Sequence, residues 1–122
     1  MAAPNIVGVN TITGITTTLS LTTTNITELT ANRSNTNAVY KINSIIAANV
    51  SSASANVSVG NSGFAGAGST TYIARNVGIS SGATLVVVDK ASSFYLEENR
   101  SVVVQASAGN ALDVTLSYEE IK

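Results

Sequence analysis

Residues 111–118, Ala-Leu-Asp-Val-Thr-Leu-Ser-Tyr, alternate strictly between apolar and polar positions. Leu112, Val114, Leu116 and Tyr118 face one way; Asp113, Thr115 and Ser117 face the other. A period of two over eight residues predicts a half-buried β-strand. Upstream, Val102, Val103 and Val104 run together within Arg100–Ala106, which predicts a strand covered on both faces. Ser107-Ala108-Gly109-Asn110 separates the two and predicts a tight hairpin, because Gly adopts positive φ freely and Asn tolerates it.

The same reading extends backwards. Residues 83–88 form a β-branched run ending at Asp89-Lys90, Phe94-Tyr95-Leu96 follows, and Glu97-Glu98-Asn99-Arg100 reads as a polar turn with Asn99 left-handed. Residues 83–121 therefore predict an antiparallel meander. Tyr40, Ile42, Ile46 and Ala48 are expected on one face of a further strand and Lys41, Asn43 and Asn49 on the other, with Ile45 breaking the pattern and marking either a bulge or a second covered face. Short strands are expected at residues 56–59 and 71–75. The Thr runs of residues 10–30 suit two more, anchored by Ile12, Leu19, Leu21, Ile26 and Leu29. No convincing helix is found. Many short strands with turn signals between them predict one all-β domain, a single antiparallel β-sandwich of jelly-roll or Ig-like type. Residues 1–12 are expected as an N-terminal arm or edge strand, and 13–122 as the sandwich.

Composition changes this picture by subtraction. The chain has 122 residues, no His, no Cys and no Trp, while Ser, Thr and Asn fill 44 positions. Disulfides, thiolate metal sites and a histidine base are excluded outright. A net charge of −1 and six scattered Lys and Arg give no basic stripe for a nucleic acid. No run approaches the roughly 20 apolar residues of a spanning helix, and the first residues, Met-Ala-Ala-Pro-Asn, do not read as a signal peptide. Charge is uneven: residues 1–60 hold only Glu28, Arg33 and Lys41, whereas residues 89–122 hold nine of the thirteen charges. A charge-depleted half is what a surface covered by partners looks like, and also what a Thr/Ser-solvated one looks like.

Candidate chemistry is thin. The glycine run of residues 63–70 lacks the lysine of a phosphate-binding loop. The pairs Glu97-Glu98 and Glu119-Glu120 are adjacent in sequence, so each pair splits to opposite strand faces and neither makes a glycosidase dyad by itself. Tyr40, Phe64, Tyr72, Phe94, Tyr95 and Tyr118 could stack on a sugar, although most are expected to pack in the core. Sequons include those beginning at Asn25, Asn32, Asn49 and Asn56, an ordinary frequency for so much Asn, Ser and Thr.

Several blocks carry a resemblance. Residues 1–7 (Met-Ala-Ala-Pro-Asn-Ile-Val), residues 39–45 (Val-Tyr-Lys-Ile-Asn-Ser-Ile), and residues 85–90, 94–100 and 116–121 resemble small β-rich virion proteins of tailed bacteriophages, including phages of cyanobacteria and marine bacteria. The resemblance implies a non-enzymatic structural protein without cofactors. It implies a capsid decoration (cement) protein on the capsid exterior, assembled in the host cytoplasm and bridging neighbouring shell subunits. A neck or tail-fibre component, or a glycan-binding tip module, is the alternative. The implied partners are the major capsid protein or other virion proteins and further copies of the chain, as dimer or trimer, with no nucleic acid and no membrane. Ala2, Ala3, Pro4, Asn5, Ile6, Val7, Val9 and Ile12 are the expected partner-binding residues, lying in a partly extended arm.

Overall fold

The computed structural model describes Gly8, residues 10–63 and residues 69–122. Nine strands follow one another: β1 (Ile12–Leu21), β2 (Thr27–Asn32), β3 (Val39–Asn49), β4 (Ala55–Gly63), β5 (Thr71–Ile79), β6 (Thr84–Val88), β7 (Phe94–Leu96), β8 (Arg100–Ala106) and β9 (Leu112–Ile121). Among the described residues there is no α-helix, and so none long and apolar enough to cross a membrane. A single 3-10 turn at Lys90–Ser92 separates β6 from β7. Asp89 caps it, its Oδ1 accepting from Ala91 N at 3.0 Å and Ser92 N at 3.1 Å.

The strands make two antiparallel sheets. One runs β1-β9-β3-β6, with β7 on the same side of β3 as β6; the other runs β2-β8-β4-β5. The pairs β1·β9, β2·β8, β3 with β6 and β7, and β4·β5 are nested like the arms of one long hairpin. Rolling that hairpin up brings β9 against β3 and β8 against β4. This is the jelly-roll form of the sandwich, rather than the Ig-like one. Between the sheets lie Ile42, Ile45 and Ala47 of β3, Leu112, Val114 and Leu116 of β9, Val57 and Val59 of β4, and Val102 and Val104 of β8, all buried. Each large side chain so buried contributes about 1.5–3 kcal/mol.

Two expectations are corrected here. Residues 83–121 are not a meander. β6 and β7 pair with β3, β8 with β2 and β4, and β9 with β1 and β3, so no two consecutive strands among them are neighbours. The β8–β9 connection crosses between the sheets instead of closing a hairpin. Asn110 supplies its left-handed residue (φ 60°), while Gly109 is needed for close approach: a Cβ there would stand 2.7 Å from Thr22 O. Local alternation is the same whether a strand's partner is next in sequence or ninety residues away, so pattern alone could not choose. The second correction concerns β3. A bulge between Ile42 and Ser44 shifts the register, as Ile45 suggested, but beyond it Ile45, Ala47 and Asn49 turn inward. Ile46 and Ala48 therefore face outward, not with Tyr40 and Ile42.

Other expectations match. Asn99 is left-handed (φ 63°), and Val103 is only 4% exposed although it faces away from the core, as a doubly covered strand requires.

Two buried asparagines hold the ends of the sandwich, about 30 Å apart along β3. Asn32 donates through Nδ2 to Ala38 O (2.8 Å) and Leu96 O (3.1 Å) and accepts from Thr36 Oγ at 2.6 Å. Asn49 donates to Ala53 O (2.9 Å) and Ile79 O (2.8 Å) and accepts from Ser51 N (2.9 Å) and Ser51 Oγ (2.7 Å). Each ties a loop to the ends of strands from both sheets. Both open sequons, and with side chains engaged in this way and 0% and 2% exposure neither is a glycan acceptor in the folded chain.

Candidate interaction surface

The described residues hold no group of three or more acidic, His or Cys side chains. Neither carboxylate pair faces one way: Glu119 and Glu120 split by the strand period within β9, and Glu97 and Glu98 diverge in the turn between β7 and β8. Glu119 stands opposite Lys41 and Gly14 on the outer face of its sheet, while Glu120 stands opposite Tyr40. Glu98 is buried and accepts from Thr36 N at 3.0 Å, and Glu97 is exposed. Glu28 places Oε1 3.6 Å from Arg33, an exposed pair of little energetic weight, and its Oε2 is buried without a hydrogen-bond partner. The glycine run leads into strand β5 rather than a helix, so it offers no helix N-terminus to a phosphate.

The aromatic residues do not gather. Tyr40 and Tyr118 stack inside the sandwich with centroids 4.8 Å apart. Phe94 packs on the core. Arg75 covers one face of Tyr72, 4.7 Å from its centroid, and Tyr95 stands exposed on the outer face of β7. Phe64 lies outside the described residues. Burial pushes the Tyr40 hydroxyl above its ordinary pKa of 10.0. The neighbouring Tyr118 and Glu120 charges and a hydrogen bond to Glu120 add to this, and Arg33 opposes it. A pKa raised by folding contributes stability that is complete below pH 10.0 and is lost as pH climbs through the folded value. Tyr40→Phe should thus flatten the alkaline limb of the pH–stability profile. Urea melts across that range check it; an unchanged alkaline limb would refute the coupling.

What the surface does offer is area with little charge. The outer face of the first sheet carries Thr16, Thr18 and Ser20 from β1, Thr115 and Ser117 from β9, Ser44, Ile46 and Ala48 from β3, and Thr84 and Val86 from β6. Its charges stand toward the two ends: Asp113 at one, Lys41 beside Glu119 at the other. An open depression of about 370 Å³ on this face is lined by Thr18–Ser20 and Asp113–Thr115. Asp113 is its sole ionisable group, so it holds no acid–base pair. Of the expected partner-binding residues, Ala2, Ala3, Pro4, Asn5, Ile6, Val7 and Val9 lie outside the described residues. Ile12 opens β1 opposite Ile121 and is 61% exposed. Sequence reasoning passed over the uncharged β1 flank as a surface. Its signal was there, in ten residues without a charge, but nothing marked it as an edge.

No family model matches the chain, and no curated protein matches it either. Among solved structures it is similar to a chain of the acidic stable capsid structure of Helicobacter pylori bacteriophage KHP30. The superposition has a TM-score of 0.53 at 14% identity and covers 93% of this chain and 90% of that one. The likeness is one of fold. It takes in nearly the whole of both chains, so they share a jelly roll of nearly equal size rather than a fragment of one.

Proposed function

We propose that this chain is a non-enzymatic structural protein of a tailed-phage virion and, within the particle, a decoration protein on the capsid exterior. The observation that carries the reading is the near end-to-end likeness to a chain of a phage capsid structure. A second feature supports it: among the described residues one whole sheet face is uncharged between its ends. The mechanism is adhesive. A stiff sandwich laid across neighbouring shell subunits adds interface the shell lacks, and a standard contact buries about 1,600 Å². Repeated over a lattice, individually weak contacts sum through avidity. Residues 2–9 with Ile12 form the arm that reaches a neighbouring subunit.

Quantitative mass spectrometry of purified particles tests the reading. A copy number matching the capsid lattice is expected; one matching a single ring at the neck, or a fibre tip, would place the chain there instead. Absence from particles would remove the virion role. In the same system, a variant lacking residues 2–9 should fold but fail to bind stripped particles. The deletion stops short of Asn10, whose N–H pairs with Lys122 O at 2.9 Å. Undiminished binding by that variant would remove the arm.

A further inference from the structure

Among the described residues four strands or strand pairs form the open edges of the sandwich, and three are guarded against pairing with another chain. β2 is six residues long, carries Glu28 and is bulged between Glu28 and Thr30. β5 carries Arg75, a left-handed Asn76 (φ 50°) and two register shifts against β4. The β6/β7 edge is broken by the capped 3-10 turn. Charges, bulges and short or interrupted strands are the usual devices that keep sheet edges from adding strands. β1 has none of them. It runs ten residues in unbroken register with β9, with no charge, no proline and no bulge.

We infer that β1 is a self-association edge, pairing antiparallel with β1 of a second copy to join two sheets across a two-fold axis. Backbone parity allows it. Thr11 and Lys122 exchange both hydrogen bonds, N to O at 2.8 and 3.0 Å. By alternation Thr13, Ile15, Thr17, Leu19 and Leu21 bond to β9, which leaves the N–H and C=O of Ile12, Gly14, Thr16, Thr18 and Ser20 directed away from the sheet. Centring the two-fold on Thr17 sets Thr16 of one copy opposite Thr18 of the other as a hydrogen-bonded pair. It also sets Ile15 opposite Leu19. Those two side chains already pack on the core yet stay half-exposed, because β1 is an edge. The second copy supplies the missing cover.

A second copy is the occupant the sequence favours. A two-fold brings identical segments face to face, so any charge on the strand would meet its own kind nearby, and β1 is a long, uninterrupted edge strand that has none. Nine paired residues span about 30 Å. With a flank about 20 Å deep they bury on the order of 600 Å² per copy, about 1,200 Å² in all, the lower end of specific interfaces.

The test uses the full chain in solution, without particles, so its failure leaves the virion reading to its own experiment. Native mass and sedimentation should show a dimer. Since the chain has no Cys, Thr17→Cys adds a single thiol lying opposite itself across the axis, at a separation a disulfide can bridge. Mild oxidation should convert it to a covalent dimer far faster than Ser52→Cys, placed on an exposed loop. Thr16→Lys combined with Thr18→Lys sets lysines against lysines across the junction and should give a monomer that still unfolds cooperatively in urea, at a midpoint that no longer depends on protein concentration. A monomeric wild-type protein, equal crosslinking at positions 17 and 52, or a dimer that survives the double lysine variant would each overturn the inference.

Discussion

Val104→Asp is expected to leave the chain unfolded in neutral buffer. Val104 lies in the centre of β8, between β2 and β4, and is 1% exposed in the core. Its side chain belongs to the apolar core cluster, which holds no basic group, so a carboxylate placed there would have no charged partner. Keeping it neutral at pH 7 costs about 4 kcal/mol, starting from an ordinary pKa near 3.9. The forfeited valine burial adds about 2 kcal/mol. The sum approaches the whole stability of a typical small domain, about 5–15 kcal/mol. The new carboxyl would have its pKa raised by folding, so the penalty is smallest below about pH 4 and grows as pH rises. Val86→Asp is the matched control, since Val86 lies on the outer face and is 54% exposed. Far-UV dichroism and urea melts of both variants decide the matter: a cooperatively folded Val104→Asp at pH 7 would mean that β8 is not the buried centre of its sheet.

Asn49→Ala should cost about 2–3 kcal/mol, as it removes four hydrogen bonds. The Ile79 carbonyl loses the Asn49 donor and the Ser51 N–H its acceptor, while Ala53 O and the Ser51 hydroxyl keep their bond to each other at 2.8 Å. Asn49→Asp should be worse at neutral pH. It nearly preserves the shape but turns a carboxylate oxygen toward two carbonyl oxygens, where repulsion replaces attraction. Hydrogen exchange gives the local readout, with the Ser51 amide losing protection in both variants. If Asn49→Ala melts within about 1 kcal/mol of the wild type, the side chain is not the tie its geometry describes.

The strands themselves were legible. Alternation at residues 112–118 and the valine run at 102–104 identify β9 and β8, and the Thr runs of residues 10–30 resolve into β1 and β2 as expected. Left-handed Asn99 was legible because few residue types tolerate that conformation. The inward turn of Ile45 and Ala47 was not, since a single extra residue at the β3 bulge reverses every side chain beyond it. Nor were Asn32 and Asn49. In a chain with so many surface-type polar residues, nothing in sequence separates an asparagine that solvates a loop from one that binds four groups in the interior. The split of Glu119 and Glu120 was legible because it follows from strand period alone, whereas Glu97 and Glu98 lie in a turn and diverge for another reason.

By itself the sequence determined the material: an all-β chain, without histidine or cysteine, whose charges are gathered toward one end. Those properties are local, being set by residue type and by a period of two. Tertiary structure alone decided that β1 pairs with β9, that most consecutive strands lie in opposite sheets while β4 and β5 stay paired, and that the uncharged stretch is an unguarded edge. Pairing is a contact between segments far apart in sequence. Its free energy comes from the shared core that Val104 and Leu116 help fill, not from anything either strand specifies alone.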